Sequence, residues 1–178
     1  RACIVAFGKL GGAELNYSSD LDLIMVFDDA GLSEREREAM TTTVAALAGE
    51  VRATLATHTA ELFAYRVDWR LRPYGSSGEM VHPLSGLFDY YRDAAGDWEV
   101  QALLKARPVA GSAAVRERVA GGIAAAFERV TSLPEQQRGE QVFAAVRERR
   151  ARATQLRAAG SDAVDVKSGV GGIRDAEF

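Results

Sequence analysis

Apolar residues form two short, nearly unbroken runs near the start of the chain, Cys3 to Phe7 and the stretch DLDLIMVF from Asp20 to Phe27. Runs of this length, apolar in almost every position, predict strands covered on both faces. Between them, Gly8-Lys9-Leu10-Gly11-Gly12 is glycine-rich enough to predict a loop. Ser33 followed three residues later by Glu36 is a capping-box pattern, and it predicts a helix from Glu34 to about Thr57. From Leu62 to Arg72 the pattern changes to strict alternation. Phe63, Tyr65, Val67, Trp69 and Leu71 fall on one face, and Ala64, Arg66, Asp68, Arg70 and Arg72 on the other, which predicts one long strand ended by Pro73.

Beyond a loop at Tyr74 to Gly78 the spacing becomes helical, with Leu84, Leu87, Phe88 and Tyr91 on one face. Gly96 and Asp97 predict a break and a cap for a second helix, Trp98 to Arg107, stopped by Pro108. Ser112 caps a helix running to about Thr131, weakened by Gly121 and Gly122, and Pro134 opens another running to about Ala159. Gly160 to Gly172 reads as a loop with one extended piece at Val164 to Val166. The division expected is a mixed α/β part over residues 1–108 and a helical region over 109–178, without internal repeats.

Composition narrows this picture. A length of 178 residues suits one domain, or a domain with a helical appendage. The net charge of -3 argues against a general nucleic-acid binder, which needs a basic excess. Cys3 is the lone cysteine, reads as a small buried hydrophobe, and cannot form an internal disulfide. A reducing, cytoplasmic setting is therefore expected. No apolar run is long enough to predict a membrane span. Arg1 runs straight into a strand and Phe178 stops inside the first turn of a helix, so the sequence reads as a fragment truncated at its C-terminal end.

The candidate chemistry starts at Asp20 and Asp22. Two apart on a strand, their carboxylates project from one face, where like charges repel unless a cation lies between them. Mg²⁺, which takes carboxylates together with substrate phosphates, suits that spacing. The plainer alternative is that the pair caps the Ser18-Ser19 turn. Asp68 is the acid on the outward face of the alternating strand, flanked by Arg66 and Arg70. If that strand lies beside the Asp20–Phe27 strand, Asp68 can reach the same metals as a third ligand and orient or deprotonate an attacking oxygen. Otherwise it forms a surface pair with arginine. Arg70 and Arg72 are candidates for bidentate phosphate contacts, Gly11 and Gly12 for close backbone approach to a phosphate, and Ser18 and Ser19 for hydroxyl donors. Other nucleotide and hydrolase signatures fail. Gly8-Lys9 is not a Walker loop, no G-x-G-x-x-G occurs, Ser76 and Ser77 lack a nucleophile elbow, and His58 and His82 have no partners at zinc spacing.

Four ordered blocks carry a resemblance: GKLGGAELNYSSDLDLIMVF, YRVDWRLRPYGSSG, DWEVQALLKARPVAG and VKSGVGGIRDAEF. Together they resemble the catalytic segments of the glutamine synthetase (glutamate–ammonia ligase) adenylyltransferase family. The resemblance implies an α+β nucleotidyltransferase fold of the DNA polymerase β-like kind, a mixed sheet with helices, followed by a helical domain. It implies metal-binding acids at Asp20, Asp22 and Asp68, with Mg²⁺ or Mn²⁺, and ATP, ADP or phosphate as substrates. It implies glutamine synthetase and the PII signal-transduction protein as partners, and neither nucleic acid nor membrane. Asn16 to Ser19, Lys105 to Pro108 and Gly171 to Arg174 are more similar to the family's deadenylylating domain, which removes AMP from a tyrosine by phosphorolysis to ADP. The alternatives are the adenylylating domain, which attaches AMP from ATP, a nucleotide-sensing module without chemistry, and a nucleic-acid-directed nucleotidyltransferase. Lys105, Arg107, Lys167 and Arg174 are further candidates for phosphate or partner contacts. Ala176 departs from the larger aliphatic residue usual in the family, and touches no expected chemistry.

Overall fold

The computed structural model describes residues 1–17, 19–59, 62, 63 and 65–131, together with 139, 140, 143, 144, 147 and 151. The chain divides into two compact units, Arg1–Arg129 and Val130–Phe178. The helix expected from Pro134 and the loop from Gly160 lie largely outside the described residues.

Strand β1 (Ala2–Ala6) leads into a single helical turn, α1 (Gly8–Gly11), where the glycines suggested a loop. Four residues are too few to hold a helix by their own hydrogen bonds, so distant contacts must fix this turn. Strand β2 (Leu21–Phe27) then returns antiparallel to β1, from Ala6 opposite Leu23 to Ala2 opposite Phe27. Asp20 stands one residue before the strand.

Helix α2 (Glu34–Ala56) begins as its capping box dictates, with the Glu36 N–H donated to Ser33 Oγ and the Ser33 N–H to Glu36 Oε2 at 2.8 Å. A small hairpin follows, β3 (His58–Thr59) with β4 (Leu62–Phe63). The long alternating strand expected from Leu62 to Arg72 is broken into β4 and β5 (Val67–Asp68). The Asp68 carboxylate accepts the Arg70 backbone N–H at 2.8 Å, and this local turn takes the chain out of the ladder.

Strand β6 (Val81–Pro83) precedes helix α3 (Leu84–Asp93) and the shorter α4 (Asp97–Ala102). Asp29, just past β2, receives the Ser85 hydroxyl at 2.5 Å and the Ser85 N–H at 3.1 Å, so its side chain caps α3. Strand β7 (Arg107–Gly111) occupies ground read from the sequence as the end of a helix. Its Pro108 pairs with Val5 at the edge of the sheet, where a residue without an N–H costs no ladder bond. Pro108 therefore lies inside a strand, and the compact unit continues through most of helix α5 (Ala113–Thr131).

The sheet has the order β5-β2-β1-β7, with β6 also paired to β2. One edge of β2 is thus shared by two short parallel neighbours, β5 beside Leu21 and Asp22, and β6 beside Met25 to Phe27. Burial on both faces follows the expectation for β2. Leu21, Leu23, Met25 and Phe27 pack in one core cluster with Val44 and Ala48 of α2 and with Trp69. Ile24 faces Leu87, Tyr91, Leu103 and Val119 with Val5 and Phe7. Each such fully buried large side chain contributes about 1.5–3 kcal/mol. Gly122 of α5 lets the backbone meet the Phe88 ring, since a β-carbon there would lie 1.9 Å from it. Among the described residues no helix is long and apolar enough to cross a membrane.

Candidate active site

The parallel ladder between β2 and β5 sets Leu21 beside Val67 and Asp22 beside Asp68. Register partners on adjacent strands share a face at a strand spacing of about 4.8 Å. The structure therefore brings the acid of the alternating segment next to Asp22. Asp20 lies at the mouth of the same edge, where the Leu21 N–H is donated to the Arg66 carbonyl.

The three acids are not equivalent. Asp20 is held by Arg66, whose Nε lies 2.6 Å from its Oδ1. Asp68 is gripped by Arg70, with Nε at 2.9 Å and Nη2 at 2.5 Å from Oδ2. These hydrogen bonds from Arg70 hold the Asp68 carboxyl below its ordinary range, against the cost of burial. Asp22 has no guanidinium bond among the described residues. Burial first, then the charges of Asp68 and Asp20, push its carboxyl upward, and Arg70 opposes them only in part. As placed, no three His, Cys, Asp or Glu side chains among the described residues gather closely enough to cage a metal. Arg66 and Arg70 pair with the Asp20 and Asp68 carboxylates instead.

The α1 turn forms the wall beside Asp22. Gly8 has φ +53°, and a β-carbon on it would sit 2.5 Å from Asp22 Oδ2. Gly11 packs closely on a different neighbour, its missing β-carbon falling 1.9 Å from the Lys105 carbonyl oxygen. The Gly11 and Gly12 N–H groups are donated to the Phe7 and Gly8 carbonyls, at 2.9 and 3.0 Å. Arg107 closes the other end of the turn, with Nε donating to Gly11 O and Nη2 to Leu10 O, both at 2.9 Å. Lys105 pairs with Glu14 at 2.7 Å. In this arrangement Lys105 and Arg107 hold the turn that borders Asp22.

Arg72 is committed in a similar way. It donates to the Trp69, Ser76 and Gly78 carbonyls at 2.9, 3.2 and 3.1 Å, and so ties down the glycine-rich loop after β5. Ser19 bonds Asn16 through its hydroxyl. Ser18, Lys167 and Arg174 lie outside the described residues. Two positions escaped sequence reasoning. Gly8 was hidden in a run of glycines, although it directly follows a strand. Arg52 looks like any surface arginine of an amphipathic helix until α2 is laid beside β5.

An α+β unit whose mixed sheet carries acids at the junction of two parallel strands is consistent with the nucleotidyltransferase fold. Within that class, the family model for glutamate–ammonia ligase adenylyltransferase matches residues 1–122. The chain belongs to that family. It is 39% identical over 182 aligned residues to the bifunctional glutamine synthetase adenylyltransferase/adenylyl-removing enzyme of Xanthomonas campestris pv. campestris, an alignment covering 100% of this chain and 18% of the relative. The protein of the same name from Thioalkalivibrio sulfidiphilus is 38% identical, also over 100% of this chain and 18% of the relative. That from Shewanella woodyi is 46% identical over 58% of this chain and 11% of the relative. The chain thus spans under a fifth of the length of these relatives.

Proposed function

We propose that this chain is the catalytic segment of a metal-dependent nucleotidyltransferase that removes AMP from an adenylylated tyrosine of glutamine synthetase. The observation that carries the catalytic reading is the register of Asp22 against Asp68. The substrate follows the printed names of the relatives. The direction rests on the blocks around Asn16 to Ser19 and Lys105 to Pro108, which are more similar to the deadenylylating domain.

The donor set fits a hard divalent cation. It consists of carboxylate oxygens, and the Asp22 carboxylate, packed against Gly8, is only partly offset by Arg70. Asp22 and Asp68, with Asp20, would hold Mg²⁺ or Mn²⁺, and the metal when bound would offset charge on the phosphate oxygens. In the reaction an oxygen of inorganic phosphate bonds to the AMP phosphorus. The bond from that phosphorus to the tyrosine oxygen breaks, the tyrosine oxygen takes up a proton, and ADP leaves. Arg66 and Arg70, released from Asp20 and Asp68, supply guanidinium donors matched to phosphate oxygens. Attachment of AMP from ATP would use the same groups in a related displacement. Regulation through a PII protein and a cytoplasmic setting belong to the same reading.

The test uses a full-length protein carrying this segment, with adenylylated glutamine synthetase, phosphate and Mg²⁺. ADP release that disappears on Asp22→Asn supports the proposal. If that variant still releases ADP but no longer attaches AMP from ATP, the direction is reversed. If neither activity changes, these acids are not the catalytic centre.

A further inference from the structure

An open groove of about 460 Å³ lies beside β5, with Asp20, Asp68, Arg52, Arg66, Arg70 and Arg72 in its walls. Four guanidinium groups meet two carboxylates there, a local positive excess in a chain of net charge -3. Their engagements differ. Arg66 pairs with Asp20, Arg70 pairs with Asp68, and Arg72 spends its donors on the carbonyls of its own loop. Arg52, near the end of α2, has neither a carboxylate nor a carbonyl partner among the described residues and is exposed. Trp69 also lines the groove and packs its buried side against the core cluster of Leu21, Leu23, Val44 and Ala48.

We propose that this groove, which shares Asp20 and Asp68 with the proposed metal site, is an anion subsite, and that Arg52 is its principal cation. Resting on the deadenylylation reading, its ligand is the phosphate that attacks the AMP phosphorus. If the segment attaches AMP instead, the same chemistry receives the departing pyrophosphate. An exposed arginine bordering a cavity contributes the planar, paired donors that match such oxygens.

The experiment uses the full-length protein and two variants, Arg52→Ala and Arg52→Lys. Steady-state ADP release is measured against inorganic phosphate and, separately, against adenylylated glutamine synthetase. Calorimetric titrations use inorganic phosphate and pyrophosphate alone. The expected result is a rise of about tenfold or more in the KM for phosphate in Arg52→Ala, a smaller change in kcat, an unchanged KM for the protein substrate, and partial recovery in Arg52→Lys. Phosphate or pyrophosphate binding heat that weakens in parallel supports the subsite, and which of the two is lost identifies the source. An unchanged phosphate KM with unchanged heats overturns the inference. So does a rise confined to the KM for glutamine synthetase, which makes Arg52 a docking residue. Because the calorimetry needs no turnover, loss of phosphate binding in Arg52→Ala would support the subsite even where Asp22→Asn shows that the catalytic reading fails.

Discussion

Gly8 and Asp22 are complementary in shape. The acid's Oδ2 occupies the place where a β-carbon on Gly8 would press to 2.5 Å, and Gly8 holds a left-handed φ of +53°. One residue without a side chain therefore sets how deep the Asp22 carboxylate sits. Gly8→Ala has to shift either the turn or the acid, at a backbone cost of about 1–2 kcal/mol. The expected outcome is a loss of turnover well beyond what the stability change explains. Parallel measurement of kcat and thermal stability checks it, and proportionate losses in both would count against a positioning role for Gly8.

Asp22→Asn separates chemistry from stability. Ionised Asp22 is disfavoured by burial and by Asp68 and Asp20. Removing its charge should leave the fold as stable or more so, while turnover falls about a hundredfold or more. A thermal melt beside the ADP assay reads both. A variant that unfolds would show that Asp22 is structural.

The two adjacent glycines of α5 should respond with opposite sign. Gly121 has open space where a β-carbon would go, so Gly121→Ala gains helix propensity of about 1 kcal/mol. A β-carbon on Gly122 would lie 1.9 Å from the Phe88 ring, and overpacking costs about 1–3 kcal/mol, which outweighs the same gain. Hydrogen exchange of the α5 amides should slow in the first variant and quicken in the second. Equal effects would refute the close packing.

Asp29 gives the pH dependence. Burial works against its charge, but the hydroxyl and N–H of Ser85, with Arg37 nearby, more than offset this and lower its carboxyl below the ordinary value. A group lowered in the folded state contributes stability at pH values above its unfolded value. That contribution fades as pH falls from about 4 toward the lower folded value. Asp29→Asn should weaken α3 by about 1.5–3 kcal/mol at pH 7, with the gap from wild type narrowing below pH 4. Exchange of the α3 amides, corrected for intrinsic rate at each pH, tests this, and a gap that widens in acid would contradict it.

Legibility in the sequence followed the range of the forces involved. β1, β2 and α2 were readable because apolar runs and a capping box act within a few residues. The Asp22–Asp68 pairing was readable as a condition, since alternation placed Asp68 and the strand order only had to make β5 a neighbour of β2. The break after Asp68 was not, because period-two alternation cannot reveal an acid that turns onto the N–H two residues later. β7 was hidden by Pro108, which marks a helix stop and an edge strand equally well. The duties of Arg72, Lys105 and Arg107 depend on carbonyls and a carboxylate brought close by folding, so residue type alone suggested phosphate. Arg52 was invisible because only folding sets α2 beside the groove along β5.

Arg107 reaches back 96 residues to grip the carbonyl of Gly11. Synthesis delivers Asp22 long before it delivers that arginine. The acid and its glycine neighbour can meet early, but the turn that fixes their spacing is clamped only after β7 has docked on β1. Closing so long a loop is slow relative to forming the β1–β2 pair. The clamp on the turn beside Asp22 therefore forms after the β1–β2 pair. A nascent chain cut short before Arg107 would hold its acids without the frame that aims them.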